Sequence, residues 1–341
     1  MTPLRAALVG YGLAGRVIHR PLLDAAEELD VTHVVTADAG RRAQVQTDLP
    51  GARVVDSAEA LWRCADEFDV VVVATSNDVH VPLAVAALDL GKPVVVEKPV
   101  ALTADDAARL VEHADRCGLP LGVFHNRRWD SDTLTAADLI GSGALGTVHR
   151  LESRFTRFRP QVVDRWRERA GGGGVLLDLG THLVDQAVHL LGPVERVWAD
   201  VRVLRHGAEV DDDGVLALTH ESGASSLLWC SAAAPWTGPR LVLQGSRAGW
   251  VKQDLDGQEA AQREGRRPPG EPDGTLSDTA GARSVASLPG DWGAFYRGFA
   301  AAVRTGAPPP VRPGDAVHVL RVLEAARRSS DERAVVRVRP S

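Results

Sequence analysis

The sequence predicts an α/β protein in which a doubly wound parallel sheet is followed by an α+β domain with a mostly antiparallel sheet. In residues 1–124, short stretches that are apolar at nearly every position alternate with amphipathic stretches. Strands of that kind are buried on both faces, which is typical of a parallel sheet covered by crossover helices. After Phe124, several stretches alternate apolar and polar residues, as in an antiparallel sheet with one covered face. We therefore predict two domains, residues 1–124 and 125–341.

The first domain is predicted to alternate strands with helices. Its strands are Leu4–Val9, Val31–Thr36, Val70–Thr75, Val94–Val96 and Leu119–Phe124. Its helices are Ala14–Glu27, Ala58–Cys64, Val81–Leu90 and Thr103–Cys117. Thr103 is a predicted N-cap, because Asp105 and Asp106 follow it in the first helical turn.

The second domain is predicted to combine a sheet with helices. Its strands are Thr147–Phe158, Val194–Val203, Val215–Thr219, Ser225–Cys230, Arg240–Gln244 and Trp250–Lys252. Its helices are Thr133–Ile140, Val175–Leu191, Trp292–Val303 and Gly314–Arg328. Residues 254–290 are rich in Gly, Pro, Arg and Asp with little periodicity, which predicts an extended loop or a mobile flap.

The composition narrows the class of protein. A chain of 341 residues with 44% hydrophobic and 25% charged residues is typical of a globular enzyme or binding protein. A net charge of -6 gives no basic surface for DNA, RNA or an anionic membrane. Cys64, Cys117 and Cys230 are widely separated, which supports neither a disulfide framework nor a zinc ribbon. We expect a cytoplasmic protein, since no secretory signal and no apolar run of about 20 residues is evident.

A glycine motif follows the first predicted strand. Gly10-Tyr11-Gly12-Leu13-Ala14-Gly15 also opens the first predicted helix. In such a motif the first glycine permits the tight turn, the second lets the backbone approach phosphate, and the third lets helix and strand pack closely. The unpaired N–H groups at the helix start face the negative charge. The motif therefore predicts a site for the pyrophosphate of a dinucleotide.

Lys98 lies just after the carboxyl end of the predicted strand Val94–Val96, in the segment Glu97-Lys98-Pro99. The carboxyl edge of an open α/β sheet is where ligands bind. An ammonium group there can hydrogen-bond a substrate hydroxyl and stabilise the oxygen as it becomes an alkoxide. The alternative is a surface lysine that pairs with Glu97 and is turned by Pro99. Both interpretations stay open on the residues alone.

Polar residues recur along the helix that follows four glycines, residues 171–174. Asp178, His182, Asp185 and His189 are spaced so that they share one stripe of a regular helix. A histidine beside carboxylates is suited to accept a proton near neutral pH. The alternative is a solvated polar face of an amphipathic helix. We predict no metal ion, because the stripe lacks the additional ligand pair typical of zinc or iron sites.

Arginine and tryptophan cluster in two further segments. One is His125-Asn126-Arg127-Arg128-Trp129-Asp130, and the other runs from Arg154 to Arg167 and includes Arg157 and Trp166. A guanidinium can bind a polyol or phosphate through forked hydrogen bonds, and an indole can stack on a sugar. Alternatively, these are exposed residues of strands in an arginine-rich protein.

The three motifs together resemble one enzyme family. The order G-x-G-x-x-G, Glu97-Lys98-Pro99 and Asp178-x-x-x-His182 is similar to that of the glucose-fructose oxidoreductase / inositol dehydrogenase / MocA family of NAD(P)-dependent oxidoreductases. The resemblance spans essentially the whole chain and is closest to the NADP-dependent scyllo-inositol dehydrogenases. Segments similar to that subgroup are the glycine motif with His19 and Pro21, residues 125–130, residues 165–168, residues 178–182 and residues 256–259.

The resemblance implies a fold and a reaction. It implies a Rossmann domain followed by a domain with a large open-faced sheet, and a cis peptide bond before Pro99. The reaction transfers a hydride between nicotinamide C4 and a secondary alcohol or ketone of a cyclic polyol or sugar. Lys98 would polarise the hydroxyl, His182 would accept its proton, and Asp178 would assist through a hydrogen bond. A homodimer or homotetramer is also implied.

The resemblance also implies the binding residues. It places at the cofactor Gly10, Tyr11, Gly12, Leu13, Ala14, Gly15, Ala37, Asp38, Thr75, Ser76, Asn77, His80, Glu97, Lys98, Asn126, Trp166 and Arg167. It places at the substrate Lys98, Arg127, Arg157, Asp178 and His182. The alternatives are a family member that reduces an imine, dihydrodiol or biliverdin-like substrate, or a non-catalytic nucleotide-sensing protein.

The cofactor preference depends on where the second strand ends. Ala37 follows Thr36 at the position that faces the ribose, and a small residue there leaves room for a 2′-phosphate. This favours NADP(H). Asp38 would repel the phosphate unless Arg41 or Arg42 reaches it. If the strand ends one residue later, Asp38 becomes the ribose ligand and NAD(H) is favoured.

Overall fold

The chain forms two compact units in the computed structural model, which describes residues 2–163, 168–169, 173–266, 270 and 272–339. The first unit consists of Met1–Asn126, Gln258–Pro268 and Trp292–Ala316. The second unit consists of Arg127–Gly257, Pro269–Asp291 and Val317–Ser341. The predicted division into residues 1–124 and 125–341 does not include the segments that return to the first unit, and it stays a prediction.

The strands are numbered in chain order. They are β1 Leu4–Val9, β2 Leu29–Val35, β3 Arg53–Val55, β4 Val70–Val73, β5 Val94–Glu97, β6 Leu121–Phe124, β7 Val148–Thr156, β8 Val194–Arg202, β9 Asp213–His220, β10 Ser225–Ser231, β11 Leu241–Gly245, β12 Gly249–Lys252, β13 Gly274–Asp278, β14 Gly281–Val285 and β15 Val336–Arg337.

The helices are numbered in the same way. They are α1 Arg20–Ala25, α2 Ala39–Asp48, α3 Ala58–Trp62, α4 His80–Asp89, α5 Ala104–Cys117, α6 Ser131–Gly141, α7 Thr181–Leu191, α8 Gln258–Arg263, α9 Gly293–Thr305 and α10 Pro313–Glu332. Two of them continue a π-helix, Ala14–His19 before α1 and Leu176–Gly180 before α7. Thr103 caps α5 as predicted, because its hydroxyl accepts the Asp106 N–H at 3.1 Å.

The first unit contains a six-stranded parallel sheet in the order β3-β2-β1-β4-β5-β6. In this doubly wound order the chain reverses direction across the sheet at β1 and β4, so ligands bind beyond the carboxyl ends of these strands. The core strands are buried, and β4 is four consecutive buried valines. The predicted Rossmann-type parallel sheet is confirmed.

The second unit contains a nine-stranded sheet in the order β14-β13-β12-β11-β7-β10-β9-β8-β15. Only β7 and β10 pair in parallel among the strands described, and the other neighbours are antiparallel. Buried and more exposed residues alternate along β9, as one covered face requires. The predicted mostly antiparallel sheet is confirmed.

The prediction of a loop or flap over residues 254–290 is wrong. This stretch contains α8, β13 and β14. The two strands lack a clear apolar pattern in the sequence, because β13 buries only Gly274 and Leu276 and β14 has no buried residue. The sequence analysis also missed α2 and β3. Each buries a single residue, Val45 in α2 and Val55 in β3, so neither shows a hydrophobic pattern. Within the described residues, no helix is both long and apolar enough to cross a bilayer.

Candidate functional site

The glycine motif forms a tight turn between β1 and the first helix. Gly10 has a φ of +99°, and a Cβ there would collide with the carbonyl oxygen of Ala74. A Cβ on Gly15 would collide with the carbonyl oxygen of Gly10. At Gly12, by contrast, the nearest described atom to a Cβ, beyond its chain neighbours, is Arg41 Nη1 at 3.9 Å. The space over Gly12 is therefore open, which fits the close approach of a pyrophosphate.

Tyr11 is the buried member of the motif. Its hydroxyl donates to Asp48 Oδ2 at 2.9 Å, and Arg16 Nε donates to the same oxygen at 2.8 Å. Burial raises the pKa of Tyr11, and the Arg16 guanidinium lowers the pKa of Asp48. The Tyr11 side chain thus ties the motif to α2, whereas Leu13 is half exposed at the turn. Contact of Tyr11 with a cofactor would have to come from its backbone.

Strand β2 ends at Val35, one residue earlier than predicted. Ala37 and Asp38 are exposed beyond it. Asp38 is the N-cap of α2, because its Oδ1 accepts the Arg41 N–H at 2.8 Å. Arg41 therefore lies in the first turn of α2, at the positive end of the helix dipole, and its guanidinium lies beside Gly12. A cationic group thus accompanies the open space over the motif.

Residues after β4 border the same turn. A Cβ on Gly10 would lie 3.1 Å from Thr75 Cγ2, so Thr75 contacts the glycine motif. Ser76 and Asn77 follow it and are half-buried. His80 is fully buried, with Nδ1 2.8 Å from the carbonyl oxygen of Pro99. Burial lowers the pKa of His80, so a neutral ring donates this hydrogen bond and supports the turn after β5.

Lys98 is half-buried where β5 ends, and the Lys98-Pro99 peptide bond is cis, as the resemblance implies. The neighbouring Glu97 carboxylate accepts the Lys98 backbone N–H at 2.8 Å through Oε2. Its Oε1 lies 3.1 Å from His19 Nε2. Although burial acts to raise it, the pKa of Glu97 is lowered, because His19 and the Lys98 charge stabilise the carboxylate. An ionised Glu97 therefore fixes the backbone from which the Lys98 side chain extends.

A buried tyrosine completes this arrangement. The hydroxyl of Tyr296, on α9, lies 2.5 Å from His19 Nδ1. The Glu97 carboxylate can only accept from His19 Nε2, and the Tyr296 hydroxyl proton lies within hydrogen-bond reach of Nδ1. Burial raises the pKa of Tyr296 well above its usual value, so it keeps that proton. The sequence analysis missed Tyr296, because almost 200 residues separate it from Glu97.

Helix α7 does not present the predicted polar stripe to solvent. His182 and Asp185 are buried, and only His189 is exposed, so the solvated-face alternative is wrong for the first two. Asp185 accepts hydrogen bonds from Arg128, at 2.7 Å from Nη2 and 3.1 Å from Nε. Asp178 lies in the π-helix before α7 and is half-buried. The wider π turn departs from the regular spacing assumed for the stripe.

Three predicted residues of the second unit meet at one phenyl ring. Phe155, on β7, has the Arg127 Cζ 4.7 Å and the Arg157 Cζ 4.9 Å from its ring centroid. The His182 ring centroid lies 6.1 Å from that of Phe155. Arg127 is buried and Arg157 half-buried, so Arg127 is not the exposed strand residue of the alternative interpretation. The structure therefore brings Arg127, Arg157 and His182 together.

A buried polar network surrounds these residues. Arg127 Nη1 donates to Asp130 at 3.0 Å, and Arg240 Nε lies 2.9 Å from Asp132 Oδ2. Gln186, on α7, donates to the Arg127 carbonyl at 3.1 Å and accepts from Arg240 Nη2 at 2.7 Å. Buried charges of this kind are retained when each has a partner. The network fixes Arg127 relative to α7. The sequence analysis did not identify Arg240 or Asp132 as members of it.

The other predicted residues are distributed as follows. Asn126 is buried and is the last residue of the segment Met1–Asn126 of the first unit. Trp166 and Arg167 lie outside the described residues. Lys98 belongs to the first unit, and Asp178 and His182 belong to the second.

Two family models match the chain. Residues 4–125 match an oxidoreductase family with an NAD-binding Rossmann fold, and residues 133–251 match the GFO/IDH/MocA C-terminal domain. The chain belongs to the GFO/IDH/MocA family. The resemblance drawn from the three motifs is thereby confirmed, and the protein is a pyridine-nucleotide oxidoreductase.

Members of the family align with the full chain. The scyllo-inositol 2-dehydrogenase (NADP(+)) of Bacillus subtilis is 35% identical over 98% of this chain and 95% of its own length. An uncharacterized oxidoreductase of Escherichia coli is 37% identical over 98% of both chains. A solved structure of a Bacillus subtilis protein described as an oxidoreductase superposes with a TM-score of 0.92, at 34% identity and 99% coverage of both chains.

Proposed function

We propose that the protein oxidises a secondary alcohol of a cyclic polyol or sugar, of the inositol type, to the ketone. The observation that carries this proposal is the full-length similarity to a scyllo-inositol 2-dehydrogenase. The residues present are consistent with it. Lys98 stands at the carboxyl edge of the parallel sheet, and His182 lies beside two arginines that can hydrogen-bond hydroxyl groups.

Each residue has a role in this reaction. When bound, nicotinamide supplies a hydride acceptor at C4. The Lys98 ammonium donates a hydrogen bond to the reacting hydroxyl and stabilises the oxygen as negative charge develops. His182 accepts the hydroxyl proton, and Asp178 assists it by hydrogen bonding. Arg127 and Arg157 bind the neighbouring hydroxyl groups of the ring.

We further propose that the cofactor is NADP(H), with NAD(H) as the alternative. The Asp38 carboxylate, which would repel a 2′-phosphate, accepts a helix N–H. The Arg41 guanidinium lies beside Gly12, where it supplies positive charge to a phosphate. The Bacillus subtilis relative is named for NADP(+). Comparable or better initial rates with NAD⁺ would contradict this preference.

Replacing Arg41 with alanine is expected to raise the KM for NADP⁺ by about 10–100-fold, the value of one charge-assisted hydrogen bond to phosphate. The KM for NAD⁺ should rise much less, because NAD⁺ lacks the 2′-phosphate and shares with NADP⁺ only the pyrophosphate that faces Gly12. Initial rates with both cofactors measure the two constants. Arg63→Ala is the control, since Arg63 is an exposed arginine at the end of α3. Equal effects of Arg41→Ala on both cofactors would refute the assigned contact.

Tyr296→Phe is expected to lower kcat about three- to tenfold, because the loss of one buried hydrogen bond lets His19 and Glu97 move beneath Lys98. The cofactor dissociation constant should stay within a factor of about two. Stopped-flow measurement of hydride transfer and a thermal melt separate the possible roles. A lower melting temperature with an unchanged rate would show that the hydroxyl serves stability alone.

A substrate panel tests the reaction class. Inositol isomers, aldoses and glycosides are each incubated with NADP⁺ or NAD⁺, and formation of the reduced cofactor is followed. We expect turnover with at least one cyclic polyol or sugar. An imine and biliverdin, which accept a hydride, are assayed with NADPH or NADH, and a dihydrodiol with NADP⁺ or NAD⁺. Turnover restricted to one of these compounds would support the alternative enzyme. Nucleotide binding without turnover of any substrate would support the sensing protein.

A further inference from the structure

Phe155 occupies a central place among the proposed substrate-binding residues. It lies near the end of β7, where Leu151, Ser153 and Phe155 alternate as the buried residues of the strand. Its side chain is 3% exposed. A phenylalanine in such a place is ordinarily a core residue, and the sequence analysis does not identify Phe155 as a candidate site residue.

The neighbours of Phe155 are not those of an ordinary core residue. Three guanidinium groups lie over its ring, with Cζ atoms at 4.7 Å for Arg127, 4.9 Å for Arg157 and 5.8 Å for Arg240. All three distances fall within the range in which a cation is attracted to the negative face of an aromatic ring. The attraction is larger when the cation is shielded from water, as Arg127 and Arg240 are.

The same ring also contacts the proposed general base. The ring planes of Phe155 and His182 are inclined at 37°, with centroids 6.1 Å apart. Arg127 and Arg240 also pair with carboxylates, those of Asp130 and Asp132. Phe155 is therefore the common neighbour of two proposed substrate-binding arginines and of His182.

We propose that Phe155 is a positioning residue, which holds Arg127, Arg157 and His182 in the arrangement that binds and deprotonates the substrate. This inference rests on the proposed function for the roles of those three residues. Phe155 acts through its ring face and through the guanidinium groups over it. The property that matters is therefore aromaticity rather than side-chain volume.

Two substitutions separate these properties. Phe155→Leu removes the ring face but stays apolar, whereas Phe155→Tyr retains the ring. Phe299→Leu is the matched control, because Phe299 is 1% exposed and packs against Gly122 in the first unit. Phe155→Leu should lower the melting temperature at least as much as Phe299→Leu, since each removes part of a buried phenyl group and Phe155→Leu also removes the cation–π contacts.

The kinetic readout distinguishes positioning from stability. Phe155→Leu should lower kcat/KM by about tenfold or more, with a higher KM for substrate and a lower kcat, and Phe155→Tyr should restore most of it. Phe299→Leu should keep kcat/KM within about twofold. Equal losses in the leucine and tyrosine variants of Phe155, or a kcat/KM in Phe155→Leu no lower than that of Phe299→Leu, would overturn the proposal.

A second readout needs no substrate and so separates failure of this inference from failure of the proposed function. Phenylglyoxal labels guanidinium groups, and peptide mass spectrometry reports the rate at Arg157. In Phe155→Leu we expect labelling of Arg157 about threefold faster than in wild type and in Phe299→Leu, because the cation–π contact no longer holds it. An unchanged rate would overturn the inference, whether or not a polyol is oxidised.

Discussion

Lys98→Met should reduce kcat by about 10²–10⁴-fold, because the reacting hydroxyl loses the ammonium that stabilises its developing negative charge. Methionine keeps much of the length of the side chain and removes the charge. The backbone of residue 98 remains held by the Glu97 carboxylate, so the fold of the turn should persist. The dissociation constant for NADPH, measured by fluorescence titration, should change by less than about threefold.

The chain offers a matched lysine as the control for this substitution. Lys92, also in the first unit, hydrogen-bonds the carbonyl oxygen of Phe68 at 3.0 Å and has its ammonium over the Phe68 ring. Lys92→Met removes the same charge at a position without a proposed role in the reaction. It should leave kcat nearly unchanged. Normal turnover by Lys98→Met would remove Lys98 from the mechanism.

His182→Ala should also reduce kcat by about 10²–10⁴-fold, because no group remains at that position to accept the hydroxyl proton. Added imidazole should restore part of the activity if it enters the space left by the ring. NADPH affinity should be nearly unchanged, since the open space over Gly12 and the cation beside it lie in the first unit. Steady-state rates with and without imidazole measure the effect.

His189→Ala is the control for the second substitution. His189 is on the same helix, α7, but is exposed, whereas His182 is buried. The two alanine variants remove the same side chain from one helix in two environments. His189→Ala should keep full activity. Similar kcat values for the two variants would mean that the buried histidine is not the base.

Much of the fold could be predicted from local sequence. The consecutive valines of β4 and β5 are typical of strands buried on both faces, as in a parallel sheet covered by helices, and the predicted strand at Leu4–Val9 matches β1. The elements that were missed lack such a pattern. Helix α2 buries Val45 alone, and β14 buries no residue, so neither carries a hydrophobic period that a sequence can show.

The candidate site was predictable where its residues are contiguous. The glycine motif and Glu97-Lys98-Pro99 can each be recognised from six or fewer consecutive residues, because the turn and the strand end need those residue types locally. The supporting contacts join distant parts of the chain. The Tyr296 hydroxyl lies at hydrogen-bond distance from His19, and the Phe155 ring contacts both Arg127 and His182. No short motif encodes such tertiary contacts. The burial of His182 likewise follows from tertiary packing of α7, and helical spacing could not reveal it.

The origin of the hydride tests the central claim most directly. An inositol deuterated at its ring carbons is incubated with the protein and NADP⁺, and the reduced cofactor is analysed by mass spectrometry and NMR. We predict one deuterium per NADPH formed, at nicotinamide C4, together with one equivalent of the ketone. Reduced cofactor without deuterium, or no reduction with any cyclic polyol or sugar, would contradict the account.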